Sequence, residues 1–186
     1  MGEVSGQASP ELSAPEPLNS SHDASDFSSG SETLDDWLRR RALKNEEAGA
    51  SRTYVVCASG KVRGYYCLAA GSVELARAPG RVRRNMPDPV PLMVIGRLAV
   101  HTELQGRGLG LDLLRDAVLR TRQAARIAGI RAILVHAISE EAVRFYSKAG
   151  FRSSPLDPMT LMVTLADVEA VLGISVQGCL IPGSNI

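Results

Sequence analysis

Val100-His101-Thr102-Glu103-Leu104-Gln105-Gly106-Arg107-Gly108-Leu109-Gly110 is the stretch whose reading decides the fold. It follows a nearly continuous apolar run at 92–100 (LMVIGRLAV) and opens an amphipathic segment from about 108 to 128. An apolar run of strand length predicts a strand buried on both faces. The segment after it predicts a helix, with Leu111, Leu114, Val118 and Ala125 inward, Arg115, Arg122 and Arg126 outward, and Gly129 as its C-cap. A helix N-terminus collects unpaired amides and the positive end of a dipole, and glycines let a backbone approach closely or take positive φ. With Arg107 as a mobile cation, this is the chemistry of a pyrophosphate cradle. Two common cradles are excluded. A P-loop ends in Gly-Lys-Ser/Thr, and this loop has no lysine; a GxGxxG turn counted from Gly106 needs a glycine where Leu111 stands.

Working outward, residues 31–44 predict a helix. Ser31 or Thr33 can cap it, Asp35 and Asp36 suit its positive end, and Leu34, Trp37 and Leu38 share a face before the basic cluster Arg39, Arg40, Arg41 and Lys44. Residues 52–58 and 62–69 predict a hairpin about Ser59-Gly60. Residues 77–91, with four prolines and the arginines Arg77, Arg81, Arg83 and Arg84, predict an exposed loop. Strands are expected at 132–137 and 159–165, a helix at 140–148 stopped by Gly150, and a helical turn at 168–172. The sum is an α+β domain with a mixed central sheet. It spans 25–172, between an acidic Ser/Pro-rich leader at 1–24, expected to be disordered, and a loosely held tail at 173–186.

The chain has 186 residues, 45% of them apolar, and a net charge of +1, which suits one compact domain rather than a disordered or fibrous chain. No 18-residue apolar run is present, so no membrane span is expected. The N-terminus lacks the basic and apolar regions of a secretory signal. Cys57, Cys67 and Cys179 form no CxxC, and His22, His101 and His136 are widely scattered. Structural thiols in a reducing cytoplasm, and no metal, are expected. The near-zero charge conceals a division. Residues 1–38 hold eight acids and no Lys or Arg, whereas residues 39–186 hold all 21 cations, 18 of them arginine, against 12 acids. A basic body favours an anionic partner, either nucleic acid or a phosphorylated cofactor. A plain arginine-rich composition is the alternative.

The pattern Q-x-R-G-x-G at Gln105, Arg107, Gly108 and Gly110 resembles the coenzyme-A loop of GNAT acetyltransferases. The preceding Arg97-Leu98-Ala99-Val100 and the downstream Ala142-Val143-Arg144-Phe145-Tyr146-Ser147-Lys148-Ala149-Gly150-Phe151 resemble the same family's strand and its A-x-x-F-Y-x-K-x-G-F segment. The resemblance implies the GNAT fold with acetyl-CoA as co-substrate. It implies that Leu98, Ala99 and Val100 bind pantetheine through their backbone. Gln105, Gly106, Arg107, Gly108, Leu109 and Gly110 would bind the pyrophosphate, and Tyr146 would protonate the leaving thiolate. A narrower similarity, over about 25–166, joins Leu34-Asp35-Asp36-Trp37-Leu38, Ser51-Arg52-Thr53-Tyr54-Val55-Val56 and Pro155-Leu156-Asp157-Pro158-Met159-Thr160-Leu161 to the GNAT toxins of type II toxin–antitoxin modules. That family implies acetylation of the α-amino group of aminoacyl-tRNA, which blocks translation. It also implies a ribbon-helix-helix antitoxin, operator DNA bound with that antitoxin, and a homodimer.

An α-amino group, with a pKa near ~8, is partly neutral at physiological pH, so a strong base is dispensable. Strand 92–100 carries no Asp or Glu to serve as one. The clusters Arg39-Arg40-Arg41-Lys44 and Arg77-Arg81-Arg83-Arg84 are the candidate tRNA grips, and a solvated charged face is the plainer account of each. Two rivals stand beside this reading: a GNAT enzyme for a small amine or protein N-terminus, and a non-catalytic partner in DNA regulation.

Overall fold

The computed structural model describes residues 11–174. Its sheet has seven strands: β1 (Glu16–Pro17), β2 (Arg52–Ala58), β3 (Lys61–Val73), β4 (Val90–Val100), β5 (Ala132–His136), β6 (Arg152–Ser153) and β7 (Thr160–Thr164). They lie in the order β1-β2-β3-β4-β5-β7-β6. Every neighbouring pair is antiparallel except β4–β5, which is parallel. The helices are α1 (Glu32–Trp37), α2 (Leu43–Glu47), α3 (Gly80–Arg83), α4 (Leu109–Ala124), α5 (Glu140–Lys148) and α6 (Leu165–Leu172). A single π-turn, Leu38–Ala42, joins α1 to α2.

Side chains alternate across the strands and so divide the core. Val56, Tyr66, Ile95, Val135 and Leu161 pack under α4, α5 and α6. On the opposite face, Val55, Cys57, Tyr65 and Ala99 pack under α1 and α2, while Val90, Leu92, Leu134 and Met162 pack under α3. The sheet therefore has α4–α6 on one side and the two basic segments on the other.

Several expectations are corrected. Ser31 stands at the N-cap of α1 without a side-chain bond; Asp35 instead turns back to accept from the Ser29 amide at 2.9 Å and hydroxyl at 2.6 Å. The buried stripe of α4 is Leu109, Leu113, Leu114, Ala117, Val118 and Thr121. Leu111 and Ala125 are only half-buried because the helix is rotated toward its 113/117/121 edge. Arg122, expected outward, reaches Glu169 of α6 at 3.7 Å, and the helix closes at Ala125 rather than Gly129. The 77–91 segment is a shaped cover rather than a free loop. A 3₁₀ turn, Leu75–Arg77, and α3 interrupt it, and Arg131 donates to the Arg81 carbonyl at 2.9 Å.

The leader is corrected over its described part. Ser13 donates to the Cys57 carbonyl at 2.8 Å, and β1 pairs with Tyr54 and Val55. Leu18 is buried, and Asp23 bridges Lys61. Strand β2 would otherwise expose an unpaired edge, and residues 13–23 satisfy it. Residues 1–10, and the tail from 175 onward, lie outside the described residues. No helix among the described residues is long and apolar enough to cross a membrane.

Candidate active site

The strand expected to be buried on both faces is not. Met93, Val94, Gly96, Arg97 and Leu98 are all half-buried. The pairing explains this. β4 pairs with β5 only from Leu92↔Ala132 to Ile95↔Val135, yet it stays paired with β3 up to Val100↔Gly64. Past Ile95 the two parallel strands part, and the β5-facing edge of residues 96–100 has no ladder. A register shift beside Gly96 accompanies the parting. The backbone groups of Leu98, Ala99 and Val100 thus lie along a wedge in the sheet.

The glycine-rich loop begins where β4 ends. Gly106 and Gly108 hold φ of +74° and +90°, a region that other residues enter at a cost. Nothing lies within 4 Å of a Cβ built on either, so their need is conformational. Gly110 differs. A Cβ there would meet the Phe145 ring at an ordinary 3.6 Å, so packing within the protein does not demand glycine. A ligand resting on the first turn of α4 would. Arg107 is exposed and forms no ion pair among the described residues. With Arg63, Leu12 and Leu109 it borders a cavity of about 540 Å³ beside the loop. Gln105 has a different task from its neighbours. Its side-chain amide donates to the Val100 carbonyl at 2.9 Å and the Ser29 carbonyl at 2.7 Å, so it fastens the loop to β4 and to the segment before α1. The loop's residues and its empty Cβ positions fit a pyrophosphate.

Tyr146 projects from α5, which Ser139 caps by accepting from the Ala142 amide at 3.1 Å. The side chain is buried between Phe145 and Phe151, with ring centroids at 5.0 and 5.3 Å. Among the described residues its hydroxyl has no hydrogen bond, unlike Tyr65, which donates to the Leu34 carbonyl at 2.8 Å, and Tyr66, which donates to Asp116. Burial pushes the Tyr146 phenol well above its ordinary range, and the Cys67 thiol adds to the shift. Cys67 stands opposite Arg97 in the β3–β4 register, beside the wedge. The phenol thus keeps its proton.

On the other face, Arg97 stacks on the Trp37 ring at 4.5 Å, a contact the sequence reading did not foresee. Of the basic candidates, Arg39 donates to the Phe27 carbonyl at 2.8 Å and contacts Asp36, Arg40 lies 3.9 Å from Asp36, and Arg81 pairs with Asp167 at 3.0 Å. Arg41, Lys44, Arg77, Arg83 and Arg84 are exposed and form no ion pair among the described residues. Glu16, His22 and Cys57 bring ligand-type atoms within 4.8 Å of one another. His22 Nδ1, however, accepts from the Asn19 amide at 3.1 Å, which leaves the ring proton on Nε2, 3.4 Å from Glu16. That arrangement suits a hydrogen-bonded pair better than a metal.

A parallel-strand wedge, a glycine-rich helix N-terminus at its mouth and a buried phenol beside it define an acetyl-CoA-dependent N-acetyltransferase. The chain belongs to the GNAT acetyltransferase family, whose acetyltransferase (GNAT) domain matches residues 49–153. It is 54% identical over 161 residues to a tRNA-acetylating toxin of Mycobacterium tuberculosis, covering 87% of this chain and 97% of that protein. It is similar to the structure of AtaT complexed with acetyl-methionyl-tRNAfMet, at 27% identity and a TM-score of 0.79, covering 87% of this chain and 99% of that one. A tyrosine-to-phenylalanine mutant of AtaT bound to the C-terminus of the antitoxin AtaR aligns at 26% identity and a TM-score of 0.76, over 89% and 99% of the two chains.

Proposed function

We propose that this enzyme is the toxin of a type II toxin–antitoxin pair and acetylates the α-amino group of aminoacyl-tRNA, blocking translation. The observation that carries the reading is the 54% identity to a tRNA-acetylating toxin over nearly the whole of both chains. The site is consistent with it. Acetyl-CoA enters from the α4–α5 side, its pyrophosphate on the amides of Gly108, Leu109 and Gly110 with Arg107 alongside. Its pantetheine follows Leu98, Ala99 and Val100, whose backbone donors polarise the thioester carbonyl. The amine attacks the carbonyl carbon, the carbon–sulfur bond breaks, and Tyr146 protonates the departing thiolate.

Arg41, Lys44, Arg77, Arg83 and Arg84 then grip RNA phosphates, a role that predicts steep loss of tRNA affinity with salt. The same reading assigns a cytoplasmic homodimer, neutralised by a ribbon-helix-helix antitoxin and binding operator DNA together with it. The test incubates purified protein with labelled acetyl-CoA and a panel of aminoacyl-tRNAs, then identifies the tRNA-bound amino acids by mass spectrometry. N-acetylated aminoacyl-tRNA is expected. Turnover with small amines or peptide N-termini, and none with any charged tRNA, overturns the reading.

A further inference from the structure

A hydrogen-bonded chain on the sheet face opposite α4 and α5 has no part in the mechanism above. His136 ends β5 one position past Ile95↔Val135, the last β4–β5 pair, so it stands where the wedge opens. Val135 and Ala137 both point into the α4–α5 core, and alternation sends His136 to the other face. It pairs there with Thr160 of β7, and Nδ1 lies 2.9 Å from Thr160 Oγ1. The Thr160 hydroxyl donates its proton to Asp157 Oδ2 at 2.6 Å. A hydroxyl has one proton, so toward His136 the oxygen accepts, and Nδ1 carries the ring hydrogen. The neutral ring therefore presents its lone pair at Nε2, on an exposed side chain.

Asp157 completes the chain. It also accepts the Met159 amide at 2.9 Å. The hydrogen bond from Thr160, and then that from the Met159 amide, hold its carboxyl below the usual range, and the Arg77 charge adds to the effect. Arg77 is the cation that acts on Asp157 at the far end of this chain. A carboxylate, a hydroxyl and an imidazole in series fix one tautomer and one ring orientation, the arrangement by which a histidine is prepared to accept a proton.

We propose that His136 is the general base of the acetyl transfer, with Thr160 and Asp157 as positioning residues. The proposal rests on the aminoacyl-tRNA reading for the identity of its amine. Nε2 takes one proton from the α-ammonium group, and the freed lone pair attacks the thioester carbonyl. The tetrahedral nitrogen then releases a second proton as the carbon–sulfur bond breaks. Tyr146 gives its phenol proton to sulfur and is reprotonated by that second proton. One hydrogen remains on the amide nitrogen, and His136 returns its proton to water. Acid and base stand on opposite faces of the sheet with the wedge between them, so each can serve its own atom of the tetrahedral intermediate, the base at nitrogen and the acid at sulfur.

The test is the pH dependence of His136→Gln with aminoacyl-tRNA at saturating acetyl-CoA. An α-amine with a pKa near ~7.8 is neutral in roughly one molecule in seven at pH 7 and almost wholly neutral at pH 9. A variant that must wait for the neutral amine loses about sevenfold in kcat/KM at pH 7 and less than twofold at pH 9. Acetyl-CoA affinity, measured by calorimetry, stays unchanged. Asp157→Asn, which leaves the imidazole in place, shows a smaller deficit with the same pH trend, and it decides the matter if His136→Gln does not fold. Wild-type activity at pH 7, or a deficit equal at both pH values, overturns the proposal. A wild-type enzyme inactive on every aminoacyl-tRNA refutes the substrate reading instead.

Discussion

Replacing Tyr146 with phenylalanine removes one oxygen atom, and the structure separates what that atom does for folding from what it does for chemistry. Three tyrosines are buried, and the hydroxyls of Tyr65 and Tyr66 have partners while that of Tyr146 has none among the described residues. The Tyr146 oxygen is not one of the fully buried unpaired atoms, which among the described residues are Ser51 Oγ and Thr53 Oγ1, so its removal strands no donor or acceptor. The change to Phe should thus leave stability unchanged or raise it by up to about 1 kcal/mol, a melting point 0 to about 4 °C higher for a chain of this size. Tyr66→Phe is the contrasting control. It takes a donor from the Asp116 carboxylate, which Arg120 also holds at 2.8 Å, and should cost about 1.5–3 kcal/mol. In catalysis the order reverses. Burial keeps the Tyr146 phenol protonated across any assay pH, and loss of a general acid is worth about 10²–10⁴ in rate, or about 3–5 kcal/mol of barrier. The assay is single-turnover transfer from labelled acetyl-CoA, with calorimetric acetyl-CoA binding and thermal melts on the same samples. Turnover of Tyr146→Phe within tenfold of wild type would refute the acid role. A melting point several degrees lower, with activity lost in proportion, would show that the hydroxyl is structural.

Tyr65, Tyr66 and Tyr146 all have phenols raised by burial, so the native state keeps protons that the unfolded chain releases above about pH 10. Their stabilisation is complete below that pH and is lost as pH rises beyond it; urea midpoints should be level to pH 9 and then fall, and a rise would contradict the assignment. Gly108→Ala meets no neighbour within 4 Å but must hold φ near +90°, a backbone cost of about 1–2 kcal/mol. Acetyl-CoA affinity should drop while the fold persists, and wild-type affinity in calorimetry would remove Gly108 from the cradle. Truncation of residues 1–18 removes β1 and buried Leu18 from the edge of β2 and should lower stability by at least about 1.5–3 kcal/mol. An unchanged denaturation midpoint would mean that the segment is not docked in solution.

Much of the fold was legible because local signals agreed with the global arrangement. The helix Glu140–Lys148 lies where it is expected, with Gly150 just past its end. The phase of α4 was misjudged because Leu109, Leu111, Leu113 and Leu114 are equally apolar, and only the facing sheet decides which of them turns inward. The leader misled for a related reason. Its composition is that of a chain that cannot bury a core of its own, yet β2 supplies an unpaired edge, and backbone hydrogen bonds to an edge ask little of the side chains. The tethering bonds of Gln105 to Val100 and Ser29 emerge only in the fold, but the candidate site was legible where its residues are contiguous, as from Gly106 to Gly110. The chain of His136, Thr160 and Asp157 was not. His136 and Thr160 are 24 residues apart and meet only through the β5–β7 register.

The division of charge acquires a geometric meaning from the sheet. Coenzyme A and tRNA are both polyanions, and bringing them to one reacting carbon sets their phosphates against each other. The glycine-rich loop and Arg107 stand at the start of α4, whereas Arg41 and Lys44 belong to the α1–α2 segment and Arg83 and Arg84 to the α3 segment, on the opposite face. On the aminoacyl-tRNA reading each polyanion has its own cations, and the sheet stands between the two sets of phosphates. Only the uncharged thioester and the amine have to meet, and the parting of β4 from β5 after Ile95 provides a place for them. A basic surface spread evenly over both faces would raise affinity for either ligand but would let RNA phosphates occupy the coenzyme-A cradle. Segregated clusters avoid that competition. Arg107→Ala should therefore weaken acetyl-CoA and leave the salt dependence of tRNA binding intact, while neutralising Arg83 and Arg84 should do the reverse. Calorimetry and filter binding on the two variants test the separation, and a single variant that weakens both ligands equally would refute it.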